Sequence, residues 1–554
     1  MQTRLKRISA RSTNRHLVLT QVVQRPSKLE TRHVCNTLKI LDEIRTWRLA
    51  DRVDPYDRVV HIPWYSMGVC SGLLARFRRG HMLESLLLNL ALLDSFLWGP
   101  WTMMFLGGVS VFFTIRSGLF QFTGLSYILR NTVGRVVSGP AHSESRLMSP
   151  VQAAATSLAG TVGMGNMAGV ATALSVGGAG AIFWMWIMAI FGMMSKTAEI
   201  TLGVYYRQRG TDGEMRGGPQ YTIRRGLGWN SLALLFSAGM VINAVVAASL
   251  LQAHTVGRAL RASYNLDPYL VTGSMGLITA LVALGGAQRI GRFSERLVPI
   301  MTLAYLAGGL IVIAVNIDAL PAVMRSIISD AFSAPATMGG TAGVAVSTAI
   351  KQGMARGMLS NEAGLGTAPI VHATAQTDHP FQQGVWGAFE VFIDTILICS
   401  ITAFAILCTG AMAGGESGIE LLLSAFSHVL PVSIAAIVVS GSVATFCLST
   451  QIGFYVIFET SLVNLVGIRS TRFLRWLYFV PGVVFAGISD VDQLWVLANI
   501  AVAVVSIPNL VAMLCLSGVF ITLMRDEITG RRVYGTANVS ESSTTMQGFG
   551  ARPT

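Results

Sequence analysis

The run Gly160-Thr161-Val162-Gly163-Met164-Gly165-Asn166-Met167-Ala168-Gly169 places four glycines within ten residues of an otherwise apolar stretch. Glycine costs about 1 kcal/mol relative to alanine in a helix interior, so the run predicts an interrupted helix. An interruption frees backbone N–H and C=O groups, which lipid tolerates only where they line a cavity or hold a ligand. Those groups suit a small zwitterion beside a cation, N–H toward its carboxylate and carbonyls toward positive charge. Close helix packing by small residues is the plainer alternative for the same segment. Asn166 adds an amide able to offer an oxygen or two N–H groups, and is expected to bind ligand or stabilise the break. Thr161, Gly163, Met164 and Gly165 join it as candidate substrate contacts, and the carbonyls of Gly160 and Gly163 as candidate cation ligands.

A second set of oxygens lies far along the chain. Ser449 and Thr450 precede Gly453 on an apolar stretch, and hydroxyl oxygens are hard donors suited to an alkali cation. Adjacent helical residues point about 100° apart, so Ser449 is assigned to the ion and Thr450 to the pocket; hydroxyl bonding to the preceding helical turn is the alternative. Phe454 and Gln252 complete the expected pocket, although Gln252 could equally face a neighbouring helix. Charged residues inside membrane spans cost about 2.5–3.5 kcal/mol on insertion scales, so each needs a reason. Glu390 and Asp394 stand four apart with no cation between them, which suits a proton site, a second cation site or polar contact with another helix. Lys196 and Glu199, three apart, could pair on one helix face as an internal salt bridge, with a direct role in transport as the alternative. In the block Arg356 to Glu362, Ser360 can cap a helix N-terminus and Glu362 can pair with a nearby arginine. Arg356, Ser360, Asn361 and Glu362 are therefore expected in a structural or gating loop on the cytoplasmic side.

The elements that must carry these residues are membrane helices. Of 554 residues, 52% are hydrophobic and only 12% charged, about half the roughly 25% of a soluble domain. A window of about 20 residues, enough to cross the hydrocarbon as helix, finds spans near 93–115, 149–176, 179–204, 230–254, 269–288, 297–316, 338–359, 384–411, 430–458, 473–489 and 494–524. Unbroken hydrophobicity over such lengths argues for helices and against an alternating β-barrel. The span at 338–359 repeats the glycine theme with Gly339, Gly340, Gly343, Gly353 and Gly357, so spans two to six and seven to eleven pair as inverted halves, each opening on a broken helix. The histidines form no metal-binding spacing and no phosphate-binding G-x-x-x-x-G-K-[ST] occurs, which leaves an ATP-driven pump, a transition-metal site and an enzyme without sequence support.

Charge divides the chain further. The net charge of +13 is concentrated in residues 1–81, where 16 Lys and Arg face 6 Asp and Glu, so it marks one segment and not a nucleic-acid-binding surface. After residue 115, alternate connections and the tail hold 21 basic residues against 3 on the other side, which puts the C-terminus in the cytoplasm and, with an odd number of spans, the N-terminus outside. The expected organisation is a basic polar arm over 1–81, a membrane domain over 82–534 and a cytoplasmic tail over 535–554. For the arm, translation from an upstream start, a targeting segment and a genuine external arm all stay open.

The segments G-T-V-G-M-G-N-M-A-G-V-A-T-A (160–173), F-W-M-W (183–186), D-G-E-M-R-G-G-P (212–219) and G-M-A-R-G-M-L-S-N-E-A-G-L-G-T-A-P-I (353–370) resemble the alanine or glycine:cation symporter family. T-D-H-P (377–380), F-I-D-T (392–395) and S-T-Q-I-G-F (449–454) extend the likeness in family order from about Leu97 to Arg525. The resemblance implies an all-α polytopic membrane protein with about eleven transmembrane helices, a leucine-transporter-like five-plus-five inverted repeat with one extra N-terminal helix. It implies import of a small neutral amino acid, alanine or glycine, with sodium or sometimes protons, across the cytoplasmic membrane. A receptor or sensor on the same fold is the main rival, with a channel or membrane enzyme behind it. Met164 stands where the family usually has Thr, His254 follows Gln252-Ala253 where Asn is usual, and Phe454 replaces Trp. Met fills space and removes a hydroxyl, while Phe opens space and removes an N–H donor.

Overall fold

Helices make up nearly all of the regular structure in the computed structural model, which describes residues 89–90, 92–138, 147–333, 342–485, 491–531 and 533–534. The arm at 1–81, the tail at 535–554, and Gly339 and Gly340 lie outside the described residues. In chain order the main helices are α1 Pro100–Arg116, α2 Pro150–Thr161, α3 Val170–Gly177, α4 Gly180–Tyr205, α5 Asn230–Tyr264, α6 Pro268–Ala283, α7 Ala287–Val315 and α8 Leu320–Phe332. They continue with α9 Ala342–Asn361, α10 Ala368–His372, α11 Pro380–Thr409, α12 Gly418–Ser427, α13 Val432–Leu474, α14 Trp476–Val484, α15 Val491–Cys515 and α16 Ser517–Ile528.

Seven helical segments are long and apolar enough to cross a bilayer: Leu92–Arg116, α4, α5, α7, α11, α13 and Leu494–Cys515. Their outward faces are apolar too. On α7, Ile300, Leu303, Leu310 and Ile311 are exposed at helical spacing while Met301 and Tyr305 are buried, the inside-out pattern of a helix that meets lipid. The chain is a multi-pass membrane protein.

The other expected spans take different forms. The segment 149–176 is two half-helices, α2 and α3, with a π-type turn Gly165–Gly169 leading into the second. The segment 269–288 stops at Ala283 and 473–489 is reduced to the nine residues of α14. The expected span 494–524 is divided between α15 and α16. Helix α12, amphipathic and buried through Leu421, Leu422 and Phe426, was hidden in sequence between two longer spans.

Among the described residues of the seventh span, Gly353 and Gly357 do not break the helix. Helix α9 runs through Gly353 and Gly357 to Asn361, because these glycines admit α4: a Cβ at Gly353 would overlap the Ala181 carbonyl oxygen, and one at Gly357 would lie 3.3 Å from Met185 O. The interruption comes after Asn361, where Gly364 and Gly366 take left-handed φ angles of 89° and 85° before α10 begins.

Between α4 and α5 a small hairpin pairs β1 (Gln208–Arg209) with β2 (Met215–Arg216), and Arg216 Nη2 meets Asp212 Oδ2 at 2.6 Å. The hydrogen-bonded Arg216 guanidinium holds the Asp212 carboxyl below the usual carboxylate range.

Candidate binding site between the broken helices

The site begins with the way α2 starts and stops. Ser149 and Gln152 form a reciprocal cap, each side chain bonding the other's backbone N–H at 3.1 Å, with Pro150 at the first position. Twelve residues later the helix ends, Val162 turns to an extended conformation (φ −76°, ψ 96°), and helix resumes from Met164. The Gly163 N–H at the break is accepted by Asn166 Oδ1 at 2.9 Å, so Asn166 stabilises the interruption as one of its two expected roles. Its Nδ2 donates onward to Asp394 Oδ1 at 2.6 Å and Ser360 Oγ at 3.0 Å, tying the break to α11 and to the end of α9.

Against the other side of the break lies α13. Gly453 allows the contact: a Cβ there would stand 2.8 Å from Thr156 O and 3.1 Å from Gly160 N. At this approach Ser449 Oγ reaches Ala159 O at 3.3 Å and Thr450 Oγ1 reaches Val162 O at 3.4 Å. Both hydroxyls also donate to Phe446 O, so bonding to the preceding turn and contact with the break coexist. The carbonyls reached are those of residues 159 and 162, not of Gly160 and Gly163. The two hydroxyls diverge as helical geometry requires, and of the pair only Thr450 lines the adjoining cavity.

That cavity, of about 70 Å³ measured as room for water centres, is bounded by the break (Gly160, Thr161, Gly163, Met164, Gly165) and by Gln252, Thr450 and Phe454. Its remaining wall includes Asn243, Arg356, Glu362, Trp495 and Asn499. Every residue expected to contact substrate lines it except Asn166, which is wholly buried behind the break. Two acceptors on the wall, Gln252 Oε1 and Asn243 Oδ1, are buried without a hydrogen-bond partner. Of the three unusual residues, Met164 and Phe454 face the cavity, and Thr255 Oγ1 donates to the Met164 sulfur at 3.3 Å. His254 is buried in α5 away from the lining.

The buried charges pair differently from expectation. Lys196 does not bridge to Glu199 on its own helix. Its Nζ lies 3.2 Å from Glu390 Oε2 and donates to Asn361 O at 2.7 Å, while Glu199 Oε2 accepts from Asn509 Nδ2 at 2.9 Å. The cation that sequence spacing did not supply to Glu390 thus comes from α4. Gly387 brings α11 onto α4 there, since a Cβ would sit 2.8 Å from the Lys196 backbone. Glu390 Oε1 also meets His372 Nε2 at 2.6 Å, and Oε2 accepts from Ser157 Oγ at 2.8 Å. Asp394 belongs to a separate cluster, accepting from Ser360 Oγ at 2.6 Å and Thr395 Oγ1 at 2.9 Å besides Asn166. Neither Glu390 nor Asp394 lines the cavity.

The Arg356–Glu362 block is likewise interior. Ser360 lies in the last turn of α9, where no N-cap is possible, and its hydroxyl serves Asp394. Glu362 does not pair with Arg356. Beyond the helix end it takes a left-handed φ of 56° and accepts from Thr367 Oγ1 at 2.5 Å, whereas Arg356 stacks over the Trp495 ring at 5.0 Å. Asn361 Oδ1 accepts the Ala363 N–H at 3.0 Å and its Nδ2 donates to Thr395. The S-N-E-A-G-L-G block is therefore the buried second interruption. Its two left-handed glycines were the signal for that, outweighed in sequence by the apparent end of a span.

Two interrupted helices meeting at a cavity, inside a bundle of apolar helices, define a membrane carrier. Residues 84–536 match the profile of the sodium:alanine symporter family, and the chain belongs to that family. It is 37% identical over 440 residues to an uncharacterised transporter of Haemophilus influenzae, covering 79% of this chain and 95% of that one. It is 34% identical over 437 residues to the sodium/alanine symporter AgcS of Methanococcus maripaludis, covering 77% and 94%. Among solved structures it is similar to a manganese transporter of Eremococcus coleocola at 15% identity and a TM-score of 0.43, over 65% of this chain and 76% of that one.

Proposed function

We propose that the chain is a secondary-active symporter that imports a small neutral amino acid, alanine or glycine, together with sodium by alternating access. The observation that carries this reading is the pairing of Ser449 and Thr450 with the Ala159 and Val162 carbonyls at the first break. Sodium needs several oxygens to replace its water, and a broken helix offers carbonyls that an intact one keeps in i to i−4 bonds. The relative from Methanococcus maripaludis, named a sodium/alanine symporter, supports the same pair of cargoes. Cavity size supports a small substrate: at roughly 10–15 Å³ per water centre, 70 Å³ holds about five to seven waters, comparable to alanine's few heavy atoms.

In this reading Ser449 ligates sodium, Thr450 faces the amino acid, and Phe454, Met164 and Gln252 set the pocket's width and polarity. The fold is a five-plus-five inverted repeat with an additional N-terminal helix and about eleven crossings, C-terminus cytoplasmic and N-terminus outside, in the cytoplasmic membrane. Residues 82–534 form the carrier and 1–81 a separate basic arm. The test is uptake of labelled alanine by proteoliposomes holding the full chain under an inward sodium gradient. Saturable uptake that choline cannot support is expected. Strong uptake of lysine or glutamate would overturn the substrate, and equal uptake in choline would overturn the ion.

A further inference from the structure

Four carboxylates, Glu199, Glu362, Glu390 and Asp394, are buried around the two breaks, and their surroundings separate them sharply. Glu390 has Lys196, His372 and Ser157. Asp394 is held by Asn166, Ser360 and Thr395. Glu199 bonds to Asn509. Glu362 alone of the four lines the cavity. Its Oε2 takes one hydrogen bond, from Thr367, and its Oε1 accepts none among the described residues. Among the described residues no cation forms an ion pair with it: Lys196, whose charge reaches it from a distance, bonds Glu390 and Asn361 O, and Arg356 lies over the Trp495 ring.

Backbone geometry adds a second reason to single it out. A non-glycine residue at φ 56° is strained, and strained positions cluster at ligand-binding and switch regions. Here the left-handed turn directly follows Asn361, the last residue of α9, and Glu362 forms part of the cavity wall. Burying a carboxylate with a single hydrogen bond is expensive, and a positive group entering the cavity offsets that cost. Gln252 Oε1 and Asn243 Oδ1, acceptors without donors on the same wall, ask for the same kind of occupant, one rich in N–H groups.

The geometry points to Glu362 as the residue that receives the substrate's ammonium group, with Gln252 Oε1 or Asn243 Oδ1 accepting another of its protons. The inference rests on the amino-acid carrier reading and deepens it: selectivity for an α-amino acid over the corresponding hydroxy acid is set at the second break, while sodium is held at the first. Arg356, the one basic side chain on the cavity wall, lies at the Trp495 side, which disfavours a second positive charge on the substrate.

The experiment compares wild type, Glu362→Gln and Glu362→Asp in proteoliposomes, with labelled alanine as substrate and lactate as competitor. A lost charge-assisted hydrogen bond is worth about 1.5–3 kcal/mol, so Glu362→Gln should raise the half-saturating alanine concentration at least about tenfold, and Glu362→Asp should recover part of that. Lactate, which has a hydroxyl in place of the ammonium, should compete poorly with alanine in wild type. The melting-temperature shift produced by sodium alone, with no amino acid present, should be the same in all three proteins. Unchanged alanine affinity in Glu362→Gln, or loss of the sodium-alone shift, would overturn the assignment; the second result would give Glu362 to the ion. Should Glu362→Gln fail to fold, the wild-type competition decides, because lactate competing as well as alanine overturns it too. Absence of alanine uptake by wild type would count instead against the carrier reading itself.

Discussion

The first broken helix is held by opposite means on its two sides. Behind it, Asn166 and Ser157 run into clusters where Asp394 and Glu390 have both carboxylate oxygens engaged by protein donors or by Lys196. On the α13 side, two hydroxyls bonded to Phe446 O reach the carbonyls of the break only at 3.3 and 3.4 Å, and on the cavity wall Gln252 and Asn243 keep acceptors unpaired. Satisfied polar groups fix a geometry, whereas unsatisfied ones store the cost that a ligand relieves. The difference separates scaffold from site without reference to which residues carry charge. The most highly charged cluster of the region is the scaffold.

The sharpest way to break this comparison is Lys196→Met. It would leave Glu390 buried without its lysine, with only the His372 ring and the Ser157 hydroxyl as partners, and the Asn361 carbonyl without its donor, a loss on the order of 3–5 kcal/mol. Detergent-purified protein should melt far lower or fail to accumulate folded. Lys196→Met combined with Glu390→Gln should recover much of the loss, since removing both charges removes the orphan. If the single variant folds normally and only uptake suffers, the cluster belongs to the transport site and the division above is wrong.

A smaller effect on stability, with a larger one on transport, is expected from Gly453→Ala. Its new Cβ would meet backbone at Thr156 O and Gly160 N, neither of which can swing aside, so α13 must move off α2. Overpacking of this kind costs about 1–3 kcal/mol. Because Ser449 and Thr450 move with α13, sodium-driven uptake should fall well beyond what the loss of folded protein explains.

Single hydroxyl deletions sharpen the cavity side itself. Ser449→Ala should raise the sodium concentration for half-maximal uptake several-fold, consistent with about 1 kcal/mol for one oxygen, and Thr450→Ala should instead raise the half-saturating alanine concentration. The contrast follows from position, since Thr450 lines the cavity and Ser449 is turned to Ala159. Unchanged sodium dependence in both variants and in the double variant would place the ion elsewhere.

Local chemistry explains which parts of this were legible in sequence. Four glycines in ten residues announced the first break, and hydroxyls beside Gly453 announced its partner, because each signal is confined to one segment. The interruption after α9 was harder to read because glycine serves two purposes: Gly353 and Gly357 admit α4, whereas Gly364 and Gly366 turn the chain. Only tertiary contact distinguishes them. Pairing of charges was illegible for the same reason. Lys196 lies three residues from Glu199 and 194 from Glu390, yet it bonds the distant one, because Gly387 lets α11 sit directly on the Lys196 backbone. Sequence spacing ranks neighbours on one helix and says nothing about the helix across from it.

The Asp212–Arg216 pair of the hairpin offers the weakest perturbation and a control for the Lys196–Glu390 result. It too joins a carboxylate to a cation, at 2.6 Å, but its side chains retain 25% and 11% exposure, and it lies outside the apolar bundle. A partly exposed pair outside the apolar spans is worth about 1 kcal/mol, so Asp212→Asn should shift the melting temperature by about 1–2 °C, far less than Lys196→Met. The pH dependence has a defined sign. Because Arg216 depresses the Asp212 carboxyl in the folded chain, its contribution is complete above the unfolded value of about 3.9 and is lost as pH falls through the lower folded value. The difference between wild type and Asp212→Asn should therefore stay constant from neutral pH down to about pH 5 and close only in stronger acid. A melting difference as large as that of Lys196→Met would mean that burial is not what makes the interior pair costly to break, and the contrast between scaffold and surface would fail at its premise.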